Sequence, residues 1–125
     1  FLMNHSILVV DDSKVLRLMI VSVLKKAGVS SDIDEADDGV EGLKLVAGRQ
    51  YDLVITDLNM PNMGGIDFVK KIRISPVNKF VKICVLSGES DKEMEDEARK
   101  AGASAFLLKP FEPLKLLAAI KKLLQ

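Results

Sequence analysis

The sequence predicts an α/β domain: a doubly wound, five-stranded parallel sheet covered by helices on both faces. Three observations carry that expectation. Short apolar runs alternate with amphipathic stretches along the whole chain. The strong runs lack the polar/apolar alternation of a strand wet on one face, as strands covered on both faces should. The amphipathic stretches carry helix start and stop residues at their ends. Five strands alternating with five helices make repeated βαβ units, which give a parallel sheet. At 125 residues, 48% of them hydrophobic, the chain suits one domain over residues 1–125 with a real core.

The strand candidates are Ser6–Val10, Ser31–Ala36, Leu53–Thr56, Val81–Leu86 and Ala105–Leu108, the second being the weakest. The first helix is expected from Lys14 to Ala27. Val15, Leu16, Met19, Ile20, Val23, Leu24 and Ala27 form its core stripe, with Leu18 and Val21 off it, and Gly28 follows as a stop. Asp38 with Glu41 makes a capping pattern for a second helix over Gly39–Ala47, ended by Gly48. A third runs over Gly65–Ile74, before Ser75-Pro76. The fourth, Asp91–Ala101, has Ser90 with Glu93 as its capping pair and Gly102 as its stop. Glu95/Arg99 and Asp96/Lys100 stand at i,i+4 along it. The fifth spans Pro113–Leu124.

Composition removes several functional classes. Eighteen basic and eighteen acidic residues leave a net charge of zero, so direct nucleic-acid binding is not expected. No apolar run approaches the roughly 20 residues that cross a bilayer, so membrane insertion is not expected. The single cysteine, Cys84, sits in an apolar run and reads as a small buried hydrophobe. A cytoplasmic protein is expected. Residues 1–5 read as a disordered start or a remnant of expression, with Met3 as the natural first residue. His5 reads as a solvated residue of that terminus.

In such a sheet the functional site lies outside the carboxyl ends of the strands. Asp11 and Asp12 follow strand 1, Asp57 ends strand 3, Ser87 ends strand 4 and Lys109 ends strand 5. Three carboxylates, a hydroxyl and an amine therefore converge on one edge. Three ionised aspartates and one lysine carry a net charge of −2, and clustered carboxylates repel. Mg2+ neutralises that sum, and an all-oxygen set suits this hard cation. Zinc would want histidine or thiolate, and neither is placed at this edge.

These residues resemble the receiver domains of two-component response regulators, closest to the single-domain chemotaxis type. The resemblance spans Ser6 to Leu124. It rests on Asp11-Asp12, Asp57, Asn59-Met60-Pro61-Asn62-Met63 followed by Gly65, Ser87, Ala101-Gly102-Ala103, and Lys109-Pro110-Phe111. It implies the flavodoxin-like strand order 2-1-3-4-5. It also implies that Asp57 is the phosphoacceptor, attacking the phosphohistidine of a sensor histidine kinase or phosphotransfer protein. Asp12, Asp57 and the backbone carbonyl of Asn59 would ligate Mg2+, with Mn2+ as a possible substitute and Asp11 acting through water. Ser87 would bond a phosphoryl oxygen, and Lys109 would pair with Asp57 at rest. Phe106 would be the aromatic switch residue, and Lys109-Pro110 would be cis. Output would pass through helix 4, strand 5 and helix 5 to an effector protein or a missing output domain. The chain would be a monomer or a phosphorylation-dependent dimer, and would catalyse only its own phosphorylation and dephosphorylation.

Three positions depart from that pattern. Gly64 stands where an acid is common, Gly88 where alanine is usual, and Phe106 where tyrosine is common. Asn59, Glu89 and Gly88 flank the path of a hydrolytic water and are expected to tune the phosphoryl lifetime. Other functional classes fit worse. A dinucleotide or flavin protein needs a glycine-rich loop after strand 1, and Asp11-Asp12-Ser13 offers none. A phosphatase with an aspartyl nucleophile usually has its general acid two residues on, where Asn59 stands. A phosphate-independent interaction domain would not need Asp57, Ser87 and Lys109 together. Met60 and Met63 read equally as loop packing or as a partner contact, and Leu18 and Val21 as scattered surface hydrophobes or as a dock for the kinase's helical bundle.

Overall fold

The fold is a computed structural model in which residues 4–88 and 92–125 are described. Ten elements alternate: β1 (Ser6–Val10), α1 (Lys14–Lys26), β2 (Asp32–Ala36), α2 (Gly39–Gly48), β3 (Leu53–Asp57), α3 (Gly65–Arg73), β4 (Lys82–Ser87), α4 (Lys92–Ala101), β5 (Ala105–Leu108) and α5 (Pro113–Leu124). All strand pairs are parallel, in the order β2-β1-β3-β4-β5. Every expected element is present, with ends shifted by at most a residue or two.

The period-2 geometry of the strands sorts the core into two layers. Ile7, Val9, Leu53, Ile55, Cys84 and Leu86 face α1 and α5, against Ile20, Leu24, Leu116 and Ile120. Leu8, Val10, Val54, Ile83 and Val85 face the opposite way, against Val46 of α2 and Phe68, Val69 and Ile72 of α3. Both faces of β1, β3 and β4 are therefore dry, which explains their unbroken apolar runs. Gly42 of α2 lies so close to α3 that a β carbon on it would stand 2.8 Å from Phe68 Cζ.

Helix starts follow local chemistry. The Ser13 hydroxyl accepts from Leu16 N at 3.2 Å, and Asp38 Oδ1 accepts from Glu41 N at 2.9 Å. Each supplies an acceptor to a helical N–H that has no partner inside its own helix. Gly28 takes a φ of +71° just past α1, the left-handed conformation in which a helix commonly stops. The expected Ser90–Glu93 cap lies outside the described residues.

Three side-chain readings need correction. On α1, Val21 is in the core, whereas Val15 (79% exposed), Met19 and Ala27 face solvent. Leu16 and Val23 are half-buried. The stripe is centred on Ile20, Val21 and Leu24, with Leu16 packed at its edge, so the helix is turned to leave Val15 and Met19 on its outer face. Asp96 pairs with Lys92 at 3.4 Å, one turn before it, whereas the expected Glu95–Arg99 pair forms at 3.1 Å. His5 is mostly shielded, with Nδ1 3.9 Å from Asp52 Oδ2. Its main-chain oxygen accepts from the Ser30 hydroxyl, and Asn4 Oδ1 accepts from Ser31 N at 2.9 Å.

Candidate functional site

The carboxyl ends of β1, β3, β4 and β5 deliver the expected residues to one edge. Asp57 is the last residue of β3 and Ser87 the last of β4; Asp11 directly follows β1 and Lys109 directly follows β5. Leu58 N bonds Leu86 O at 2.9 Å, and Lys109 N bonds Ser87 O at 2.7 Å. These bonds carry the ladder one step past the strands and fix the backbones of Asp57, Ser87 and Lys109 against one another.

Lys109 Nζ lies 3.0 Å from Asp57 Oδ1 and 3.3 Å from Asp11 Oδ2. Asp57 Oδ1 also accepts from Leu58 N at 2.9 Å, and Asp11 Oδ1 from Ser13 N at 2.8 Å. Asp11 is 1% exposed and Asp57 5%, whereas Asp12 is open to solvent. One carboxylate oxygen from each of Asp11, Asp12 and Asp57 lies within 4.8 Å of the others.

The electrostatics follow from this crowding. Burial raises the Asp11 carboxyl above its ordinary value; the Ser13 N–H and Lys109 oppose that, and Asp57 adds to it. Burial pulls the Lys109 ammonium down, but its bond to Asp57 and the charges of Asp57 and Asp11 outweigh that, and the net shift is upward. One lysine thus bridges two carboxylates, with the third, Asp12, beside them.

The other expected residues fall around this centre. Asn59 is exposed on the β3–α3 loop, and Gly88 is exposed just after Ser87. A β carbon on Gly88 would meet nothing within 4 Å. Phe106 is half-buried and packs against the α2/α3 layer, as do Met60 and Met63. The Lys109-Pro110 bond is cis. Glu89 lies outside the described residues. Cys84 is fully buried in the opposite layer, where burial pushes its thiol up to about 12.

Two contacts went unread in the sequence, one of them made by a residue already in the pattern. The Arg17 guanidinium donates to the main-chain oxygen of Asp11 and lies 3.2 Å from Glu35 Oε1, tying the first turn of α1 to β2 beside the carboxylates. Gly65 closes the β3–α3 loop, with its N–H on Leu58 O at 2.7 Å. The Arg17 contact had no signal, because an arginine on an amphipathic helix reads as a solvated face. Gly65 had one: a glycine opening a helix beside a candidate site.

Comparison with known proteins agrees with this geometry. Residues 7–121 match the response regulator receiver domain family. The chemotaxis protein CheY-3 of Vibrio cholerae is 34% identical over 122 residues, covering 98% of this chain and 93% of that protein. CheY of Thermotoga maritima is 36% identical over 120 residues, covering 96% and 98%. The solved structure of the chemotaxis response regulator CheY4 of Vibrio cholerae superposes with a TM-score of 0.90 at 36% identity, covering 97% and 99%. With the strand-end carboxylates, the amine and the matched length in agreement, the chain belongs to the response regulator receiver domains, with single-domain chemotaxis regulators among its relatives.

Proposed function

We propose that this chain accepts a phosphoryl group on the Asp57 carboxylate from a sensor histidine kinase or a phosphotransfer protein. The observation that carries this is the Lys109 ammonium at 3.0 Å from Asp57 and 3.3 Å from Asp11, with the Asp12 carboxylate beside them. An Asp57 oxygen attacks the phosphorus of a phosphohistidine; the P–N bond breaks and its electron pair stays on the imidazole nitrogen. Transfer of this kind asks the protein mainly for positioning and charge neutralisation. Leu58 N and Lys109 hold the carboxylate on Oδ1, fixing the direction of attack.

The donor set fits Mg2+: three clustered carboxylates, no nitrogen or sulfur donor among them, and a residual negative charge. Asp12, Asp57 and the Asn59 carbonyl would hold the ion, with Asp11 acting through water; Mn2+ is the natural substitute. When bound, the ion supplies the positive charge that offsets the carboxylates and the incoming phosphoryl oxygens. Lys109, within reach of Asp57 and Asp11, would share that task.

Phosphorylation adds oxygens and charge at the end of β3. Ser87, the last residue of β4, brings a hydroxyl to the same strand-end edge to receive one. Its movement would be passed to α4, β5 and α5 with Phe106, changing affinity for an effector protein or an attached output domain. Val15, Leu18 and Met19 form an exposed apolar patch on α1, whose N-terminus lies beside the site. A helical phosphodonor could dock there.

The test is intact mass after incubation with acetyl phosphate and Mg2+. One phosphoryl group should add to the wild type and none to Asp57→Ala. Equal yield from both proteins would remove Asp57 as the acceptor.

A further inference from the structure

We propose that Asn62 is a positioning residue for the cation site, acting through Asp38; this rests on the assignment of the Asn59 carbonyl as a ligand. Asn62 has a φ of +68°, alone among the described non-glycine residues. Met63 N donates to Pro61 O at 2.7 Å, closing a three-residue turn around it. Turns of this hand are rare and strained, and asparagine tolerates them better than most residues. Such an outlier persists where its surroundings over-determine it.

The surroundings here are specific. Asn62 Nδ2 donates to Asp38 Oδ2 at 2.7 Å, and the other oxygen of that buried carboxylate caps α2 through Glu41 N. The next residue, Met63, lies over the first turn of α2, where a β carbon on Gly39 would stand 3.1 Å from Met63 Cβ, Cγ and Sδ. The loop tip is therefore fastened to the N-terminus of α2. Its start is fastened by Leu58 N to Leu86 O.

Only Asn59, Met60 and Pro61 lie between these fixed points, and proline's ring fixes one of their dihedrals. The direction of the Asn59 carbonyl is thus set largely by where Asn62 is held. Asn59 is exposed; Met60 packs against the α2/α3 layer and shares the restraint, while Asn62 supplies its hydrogen bond to Asp38. Releasing Asn62 would leave the carbonyl mobile, and a bound cation would have to order it.

Magnesium titrations followed by calorimetry, with urea unfolding in the absence of metal, test this. Asn62→Gly removes the side-chain bond yet accepts the positive φ freely. It should weaken Mg2+ binding by about tenfold, the scale on which outer residues of metal sites act, while the protein stays fully folded without urea and its urea midpoint falls only by what the lost Asp38 bond accounts for. Asp38→Asn retains a bond, because the Asn62 amide can turn to accept; it should bind Mg2+ within about twofold of wild type. Unchanged affinity in Asn62→Gly would overturn the proposal. So would a loss that grows in step with the fall in urea midpoint from Asn62→Gly to Asn62→Ala, since that is a structural role only. A wild type that fails to bind Mg2+ would instead overturn the underlying cation site.

Discussion

A β carbon on Gly65 would stand 2.5 Å from the main-chain oxygen of Asp57 and 2.7 Å from Leu58 Cα. The first residue of α3 is pressed onto the end of the strand that carries Asp57, the proposed acceptor. Gly65→Ala should therefore cost about 1–3 kcal/mol of stability, as overpacking does, and lower the phosphate yield by shifting Asp57. Gly48→Ala and Gly88→Ala meet open space and should stay within about 0.5 kcal/mol of wild type. Urea unfolding of the three variants checks this; equal stability for all three would refute the close contact.

Asp12 is the exposed member of the carboxylate cluster, so its removal disturbs little packing. Asp12→Ala should fold normally yet bind Mg2+ at least tenfold more weakly. A calorimetric titration with equal affinity in the two proteins would remove Asp12 from the site.

Ser87 sits at the last step of β4, with Lys109 N bonded to its carbonyl. Ser87→Ala should still take up phosphate but lose the downstream response. In the wild type, amide shifts on adding beryllofluoride should concentrate in α4, β5 and the start of α5. Shifts confined to α1 and α2 would contradict this route.

The lifetime of the phosphorylated state should depend on water access. Asn59 is exposed, and Gly88 offers no side chain to shield the acceptor. Bulkier or positively charged residues at Asn59 and Glu89 should slow phosphate loss. Time courses of intact mass measure this, and unchanged or faster decay would show that these positions do not set the lifetime.

Acid should destabilise the fold through two carboxylates outside the Asp11–Asp12–Asp57 cluster. The Asp32 carboxyl is held below its ordinary 3.8 by Arg49 and Ser6, and the Asp38 carboxyl by the Glu41 N–H and Asn62. A depressed carboxyl contributes stability that is present above 3.8 and is lost as pH falls through the folded value. Stability should therefore decline from about pH 5 downward, and Asp32→Asn and Asp38→Asn should flatten that decline. Parallel curves for the variants and wild type would exclude these groups.

The sheet was legible because β1, β3 and β4 are dry on both faces, which leaves unbroken runs such as Ile7–Val10. β2 was faint for the same physical reason inverted. It is an edge strand reading Asp-Ile-Asp-Glu-Ala, whose carboxylates Asp32 and Asp34 are clasped by Arg49. The strand-end residues at the site could be found because parallel topology assigns them to one edge whatever their side chains do. Helix faces were less legible: Val15 and Val21 are the same residue type, and only the point where α1 meets the sheet decides which is buried. The Asn62–Asp38 bond, spanning 24 positions, left no periodic trace at all.

Arg73 shows how the far side of the fold is held. Among the described residues its guanidinium bonds only main-chain oxygens, on Lys79, Val81 and Gly102, at 2.6 to 3.0 Å. These join the end of α3 to the start of β4 and to the turn between α4 and β5. Carbonyl oxygens do not titrate and carry no net charge. The seam is therefore indifferent to pH, and to the added negative charge of phosphorylation except through distance. A lysine there would offer a point charge and three donors in place of a flat, five-donor fork. Acidification, salt and the switching event itself can all reach the carboxylate edge, while the opposite side of α3 stays fastened by groups that none of them can change.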